Sequence, residues 1–293
     1  MKTYPFQFHV RLLLAIVISF FSPSISKSST LFYQPLNRDR NIDSVEWAHL
    51  WRKAYEKDFR QIVVQWTAFG DQLIDPENWL LNSLEIASQE GLQLIIGLHA
   101  DPDFSQTILQ AGWESRFEEY WNSLQRQSLV QQERLLPLLS ARDISIDGWY
   151  FPSELSDILF TNSYRRQFVR NQLILMAENL NRPLHISAYN LGYLSPQGNA
   201  AWLSSLEKSG LKVWWQDGSG VGDLSPLILQ AYYKALPCAV GVVSEAFVRI
   251  PNQGGSFSAK YAPPADYDPC HPASTFSLRY LPWAQSILKL QFN

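Results

Sequence analysis

Seven short runs rich in Val, Ile, Trp and Tyr punctuate this chain, and each is followed by a stretch of helical spacing. They are Leu31–Gln34, Ile62–Trp66, Leu92–Leu98, Gly148–Phe151, Leu184–Ala188, Lys212–Gln216 and Ala239–Ser244. Such strands are apolar on nearly every residue rather than on alternate ones. They need cover on both faces, which a parallel sheet jacketed by helices supplies. The helices between them carry readable ends. Asp75-Pro76-Glu77 reads as an N-cap, a first-turn proline and a first-turn acid, while Gly91 and Gly210 stop helices just before strands. Ala48, Trp51 and Tyr55 form one core-facing stripe, and Val169, Leu173, Met176 and Leu180 another. Seven β-then-α units predict an α/β fold, a (β/α)8 TIM-type barrel. The expected imperfection is the eighth strand, because Pro251–Ser274 is rich in Pro, Gly and Ser and reads as loop. Ser277–Leu290 is the candidate closing helix, despite Pro282.

Lys2, His9 and Arg11 precede an apolar run from Leu12 to Phe21, and Ser24 and Ser26 follow at signal-peptidase spacing. The expected organisation is a signal peptide over residues 1–26 and a single barrel domain over 27–293, periplasmic or secreted. An uncleaved anchor is the alternative. Removing residues 1–26 takes away Lys2 and Arg11 and no acid, so the formal charge moves from −3 to −5. A mildly acidic chain without a basic stretch is not a nucleic-acid surface. Cys238 and Cys270 are the two cysteines. In an oxidising compartment they suit one disulfide; the other reading is a pair of unbridged buried thiols.

In a barrel of this kind the active site gathers at the C-terminal ends of the strands. Those ends are polar here. They carry Tyr33 and Gln34, Gln65 and Trp66, His99 and Asp101, Tyr150 and Glu154, Tyr189 and Asn190, Trp215, Gln216 and Asp217, then Ser244 and Glu245. Glycoside hydrolysis needs two carboxyl groups flanking the scissile bond. Glu154, at the fourth strand end, is the expected general acid/base, and Glu245, at the seventh, the expected nucleophile. Asp217 is the rival second carboxylate, since it precedes a flexible Gly218-Ser219-Gly220 loop suited to close backbone approach. Tyr33, Gln34, Gln65, Trp66, His99, Asp101, Tyr150, Tyr189, Trp215 and Gln216 are the candidate sugar-binding residues. Side chains alternate along a strand, so only part of this set is expected to face the mouth. His99, Asp101 and Asp103 form a short cluster without a matching distant ligand set, so neither metal nor cofactor is expected.

Leu31-Phe32-Tyr33-Gln34-Pro35, Val63-Val64-Gln65-Trp66 and Gly148-Trp149-Tyr150-Phe151-Pro152-Ser153-Glu154 resemble the strand patterns of a bacterial family of barrels. That family carries the label "domain of unknown function" and is grouped with the glycoside-hydrolase superfamily. The likeness runs from about residue 31 to residue 250 and implies the barrel fold. In the large retaining-glycosidase clan an Asn usually precedes the fourth-strand acid; Ser153 stands there in this chain. The resulting expectation is a hydrolase of an envelope or exported polysaccharide. Two other classes compete. One is a barrel that binds such a glycan without cleaving it, alongside envelope polysaccharide machinery. The other is a metal-dependent deacetylase using His99 and Asp101.

Overall fold

Each of the seven apolar runs is a strand, and an eighth completes the ring. The computed structural model describes residues 29–72, 78–251 and 257–289. The leader over residues 1–26 and the Asp75-Pro76-Glu77 cap lie outside the described residues. The barrel strands are β1 (Ser29–Tyr33), β2 (Phe59–Val64), β3 (Gln93–Gly97), β4 (Gly148–Ser156), β5 (Leu184–Tyr189), β6 (Lys212–Gln216), β7 (Gly241–Glu245) and β8 (Ala273–Phe276). All neighbouring pairs are parallel, and β8 closes the ring against β1 with Thr30 opposite Ser274. The architecture is the (β/α)8 barrel.

The helices are α1 (Ser44–Glu56), α2 (Trp79–Gln89), α3 (Phe104–Leu109), α4 (Phe117–Ser140), α5 (Ser163–Asn179), α6 (Pro196–Glu207) and α7 (Pro226–Ala235). Asp43 caps α1 by accepting from the Val45 and Glu46 N–H groups, and Asn78 caps α2 by accepting from Leu80. Gly91 and Gly210 take φ of +87° and +91°, the left-handed conformation in which a side chain is strained.

Two expectations need correction. The buried face of α1 is Trp47, Leu50, Trp51 and Ala54, whereas Tyr55 is exposed. Three tryptophans of that region stack, Trp47 on both Trp51 and Trp79, and this aromatic packing sets the helix rotation. The α5 stripe of Val169, Leu173, Met176 and Leu180 is buried as expected. The second correction concerns the chain end. Part of the Pro251–Ser274 segment supplies β8, and Ser277–Leu290 forms no closing α-helix among the described residues, only a 3-10 turn at Leu278–Tyr280. The four residues of β8 pair in parallel with β7 on one side and β1 on the other. A buried ion pair fastens the turn that follows it, with Arg279 donating to Asp39 at 2.5 Å and to the Gln34 carbonyl at 3.1 Å. Cys238 and Cys270 are joined in a disulfide with Cα atoms 5.2 Å apart, tying the end of α7 to the approach of β8.

Strand alternation divides the side chains cleanly. Phe32, Val63, Ile95, Tyr150, Trp214 and Val243 fill the barrel interior, with Phe276 packed on them. Leu31, Tyr33, Ile62, Val64, Trp149, Phe151, Val213 and Trp215 face the helices. One irregularity bears on function. In β4, Phe151 pairs with Ile186 and Leu155 with Ala188, so four steps along one strand match two along the other. Pro152, which cannot donate to a ladder, starts this bulge. Bulges re-aim side chains, and this one carries Glu154.

Candidate active site

At the C-terminal mouth, the ends of β4 to β7 surround a cavity of about 140 Å³. Glu154, Tyr189, Gln216, Asp217 and Glu245 all line it. Inward parity accounts for three of them: Tyr189, Gln216 and Glu245 lie two residues beyond Ser187, Trp214 and Val243, whereas Asp217 enters from the loop just past β6. The two extra residues in β4 preserve alternation, so Glu154 also turns inward.

Glu154 stands on a polar column. Tyr150 and Ser187 share a hydrogen bond of 2.7 Å inside the barrel. Gln216 Nε2 donates to Ser187 Oγ at 3.2 Å and to Glu154 Oε1 at 3.1 Å. Burial pushes the Glu154 pKa up, and the Gln216 N–H partly offsets this.

Glu245 is held differently. Its Oε2 accepts from the backbone N–H groups of Gly220 at 2.6 Å and Val221 at 2.9 Å. Its Oε1 receives no hydrogen bond among the described residues. Burial pushes the Glu245 pKa up to about 7; the Val221 N–H works against this, and nearby Asp217 and Glu154 add to it. Glu154 and Glu245 line the same cavity, and the Glu154 charge is the smallest of the influences that raise Glu245. A side chain at Gly220 would place Cβ 2.1 Å from the Phe247 carbonyl oxygen, so the clamp requires glycine there.

Asp217 is the builder of that clamp. Its Oδ1 accepts from Ser219 N and Oγ, both at 3.0 Å, and from Glu245 N at 3.4 Å, while Oδ2 accepts from Tyr267 at 2.9 Å. Fully buried and four times bonded, it folds the Gly218–Gly222 loop so that two amides meet Glu245. Asp157 does the same for the loop after β5. It accepts from Leu191, Tyr193 and Leu194 N–H groups at 2.7, 2.8 and 3.1 Å, which sets Asn190 and Leu191 in the cavity wall.

The other candidate residues are placed elsewhere. Tyr33 and Trp215 face the helix layer; Tyr33 donates to Asp39 and Trp215 to Asn190. Outward strand parity removes both from the mouth. Tyr150 faces inward but lies one layer below the cavity, and Gln34 is engaged through its carbonyl with Arg279. Gln65, Trp66, His99 and Asp101 gather at the β2 and β3 ends, outside the lining of this cavity. His99 Nε2 contacts the Gly70 carbonyl, Trp66 packs on Phe69, and Asp101 accepts from Tyr120 at 2.6 Å. Buried Gln65 Oε1 and His99 Nδ1 have no hydrogen-bond partner among the described residues. His99, Asp101 and Asp103 do not converge as a ligand set. Among the described residues the one grouping of that kind is Cys238, Cys270 and His271, whose sulfurs are already bonded to each other. Sequence reasoning missed Asp157, Asp223, Tyr267 and the backbone of Val221. The Gly218-Ser219-Gly220 triplet did signal the close backbone approach.

An all-parallel eight-strand barrel with three carboxylate side chains from strand ends at its C-terminal mouth defines a (β/α)8 barrel with an acidic mouth. The family described as "Domain of unknown function (DUF4434)" matches residues 29–271, and the chain belongs to it. "Uncharacterized protein YbcH" of Escherichia coli (strain K12) is 34% identical over 288 residues, covering 92% of this chain and 95% of that protein. A solved structure described as a "putative alpha-L-fucosidase" from Bacteroides thetaiotaomicron VPI-5482 aligns over 90% of this chain and 96% of that one. Its TM-score is 0.55 at 13% identity, a likeness of fold.

Proposed function

We propose that this protein hydrolyses a glycosidic bond in an envelope or exported polysaccharide, with Glu154 as acid/base and Glu245 as nucleophile. The observation that carries the reading is the pair itself: two glutamates from β4 and β7 line one small cavity, and each has its pKa raised. Acid-plus-nucleophile chemistry starts from a pair with one carboxyl protonated, and burial favours the protonated form at both glutamates. The hydrogen bonds divide the roles. Two backbone N–H groups at Glu245 favour its anion and hold it still, leaving Oε1 to attack the anomeric carbon. Glu154, which accepts an N–H from Gln216, is the acid of this reading and delivers a proton to the leaving oxygen. Water then attacks the glycosyl-enzyme ester as Glu154 takes a proton back, so the anomeric configuration is retained. Among the described residues neither glutamate is in an ion pair; Arg249 pairs with Asp223, which lines the same cavity. Tyr189 and Gln216 orient the sugar.

Export fits the same reading. The N-terminal leader and the Cys238–Cys270 disulfide both support it. A mature N-terminus near Lys27, read by mass spectrometry, is the expected result.

The test of the activity is a screen of purified protein against the envelope glycans of its producer, with products read by mass spectrometry. Glu154→Gln and Glu245→Gln should each keep glycan affinity and lose about 10²–10⁴-fold in turnover. Wild-type turnover in Glu154→Gln would remove the assignment. Tight binding with no cleavage by any form would make the protein a glycan-binding barrel.

A further inference from the structure

Beside the mouth lies a second cavity, of about 290 Å³, built by α3, the turn Trp113–Arg116 and the first turns of α4. Tyr120 in its wall donates to Asp101, which anchors the cavity to the loop leaving β3. Arg116, at the N-cap of α4, and Glu119, Ser123 and Arg126, on one face of that helix, follow one another at helical spacing along it. Glu119 is its single acid. Neither Arg116 nor Arg126 has an ion pair, hydrogen bond or ring partner among the described residues, in a chain where acids outnumber bases. A third guanidinium, from Arg165, lies 4.6 Å from the Trp113 ring centroid.

The first cavity has the opposite character. Glu154, Asp217, Asp223 and Glu245 line it, and no Lys or Arg does. An anionic sugar would be repelled there and drawn to the second cavity. Guanidinium groups bind carboxylates and phosphates through charge-assisted, often forked hydrogen bonds. An indole adds an apolar surface for a ring, and the Ser123 hydroxyl a partner for a sugar hydroxyl.

We infer that this cavity is a second, non-catalytic glycan site that takes a sugar bearing an anionic group, through Arg116, Arg126 and Trp113. The site stands without the hydrolase reading. If both hold, the preferred polymer combines acidic residues, gripped here, with neutral residues processed at the mouth.

The test is calorimetry and NMR titration of the full chain with glucuronate, glucose 6-phosphate, glucose and inorganic phosphate. The two acidic sugars separate a carboxylate source from a phosphate one. At least one should bind saturably, about tenfold more tightly than glucose, which corresponds to one charge-assisted contact. Added salt should weaken it. The exposed pair Arg116→Ala/Arg126→Ala should lose that preference, while Glu154→Gln retains it. The inference is overturned if glucose binds as well as both acidic sugars or if inorganic phosphate alone binds as tightly. It is equally overturned if the double variant behaves as wild type, or if Glu154→Gln abolishes binding and so places the ligand at the mouth.

Discussion

Replacing Glu245 by Gln should make the protein more stable at pH 8 and leave its stability unchanged at pH 4. An unfolded chain ionises this glutamate near its ordinary value of 4.5, whereas the folded protein does so at about 7. Between those values the folded state holds a proton that the unfolded state has released. Stability credited to this group is therefore fully present below 4.5 and is lost as pH rises through 7. The interval of about 2.5 pH units, at about 1.4 kcal/mol each, comes to about 3.5 kcal/mol. With Glu245 only 6% exposed, solvent screening removes little of it. Gln retains an oxygen to accept the Gly220 and Val221 N–H groups but carries no charge. At about 2–4 °C per kcal/mol for a domain of this size, the melting temperature at pH 8 should rise by about 7–14 °C. Thermal unfolding of both forms from pH 4 to pH 8 measures it. An equal difference at every pH would refute the electrostatic account, and so would a loss of stability at pH 8.

Two further outcomes concern the closure of the barrel. The disulfide spans 32 residues, so Cys238→Ser/Cys270→Ser should cost about 3–4 kcal/mol in urea unfolding, with no such difference from wild type under reducing conditions. Arg279→Met should cost about 3–5 kcal/mol because it strands the buried Asp39 carboxylate. Adding Asp39→Asn should recover much of that loss, and strictly additive effects would show that the two residues are not coupled.

The barrel and its order were legible because seven of the eight strands are uniform apolar runs, and a parallel sheet leaves few other arrangements. The eighth was hidden. Ala273–Phe276 is short, and it gains strand conformation from β7 and β1 rather than from its own composition. The rotation of α1 was misjudged for a similar reason, since contacts among Trp47, Trp51 and Trp79 set it and no periodic pattern records them. At the site, a polar residue at a strand end was a sound signal of position but not of direction. Gln216 and Trp215 are neighbours in sequence, yet one supports Glu154 and the other packs beneath a helix.

Strand and helix alternation, the polar strand ends and the Gly-Ser-Gly loop are local properties, written in residue type and spacing. The tertiary structure alone decided which carboxylates share a cavity. Asp217 and Glu245 look equivalent as acids that close apolar strands. Folding uses all of Asp217 in hydrogen bonds that shape a loop, and that loop turns two backbone amides onto Glu245 while burial lifts its pKa. Ser219 bonds Asp217 locally, but the other partners of Asp217 and both partners of Glu245 lie 24 to 50 residues away in the chain, so no reading of adjacent residues could assign those roles.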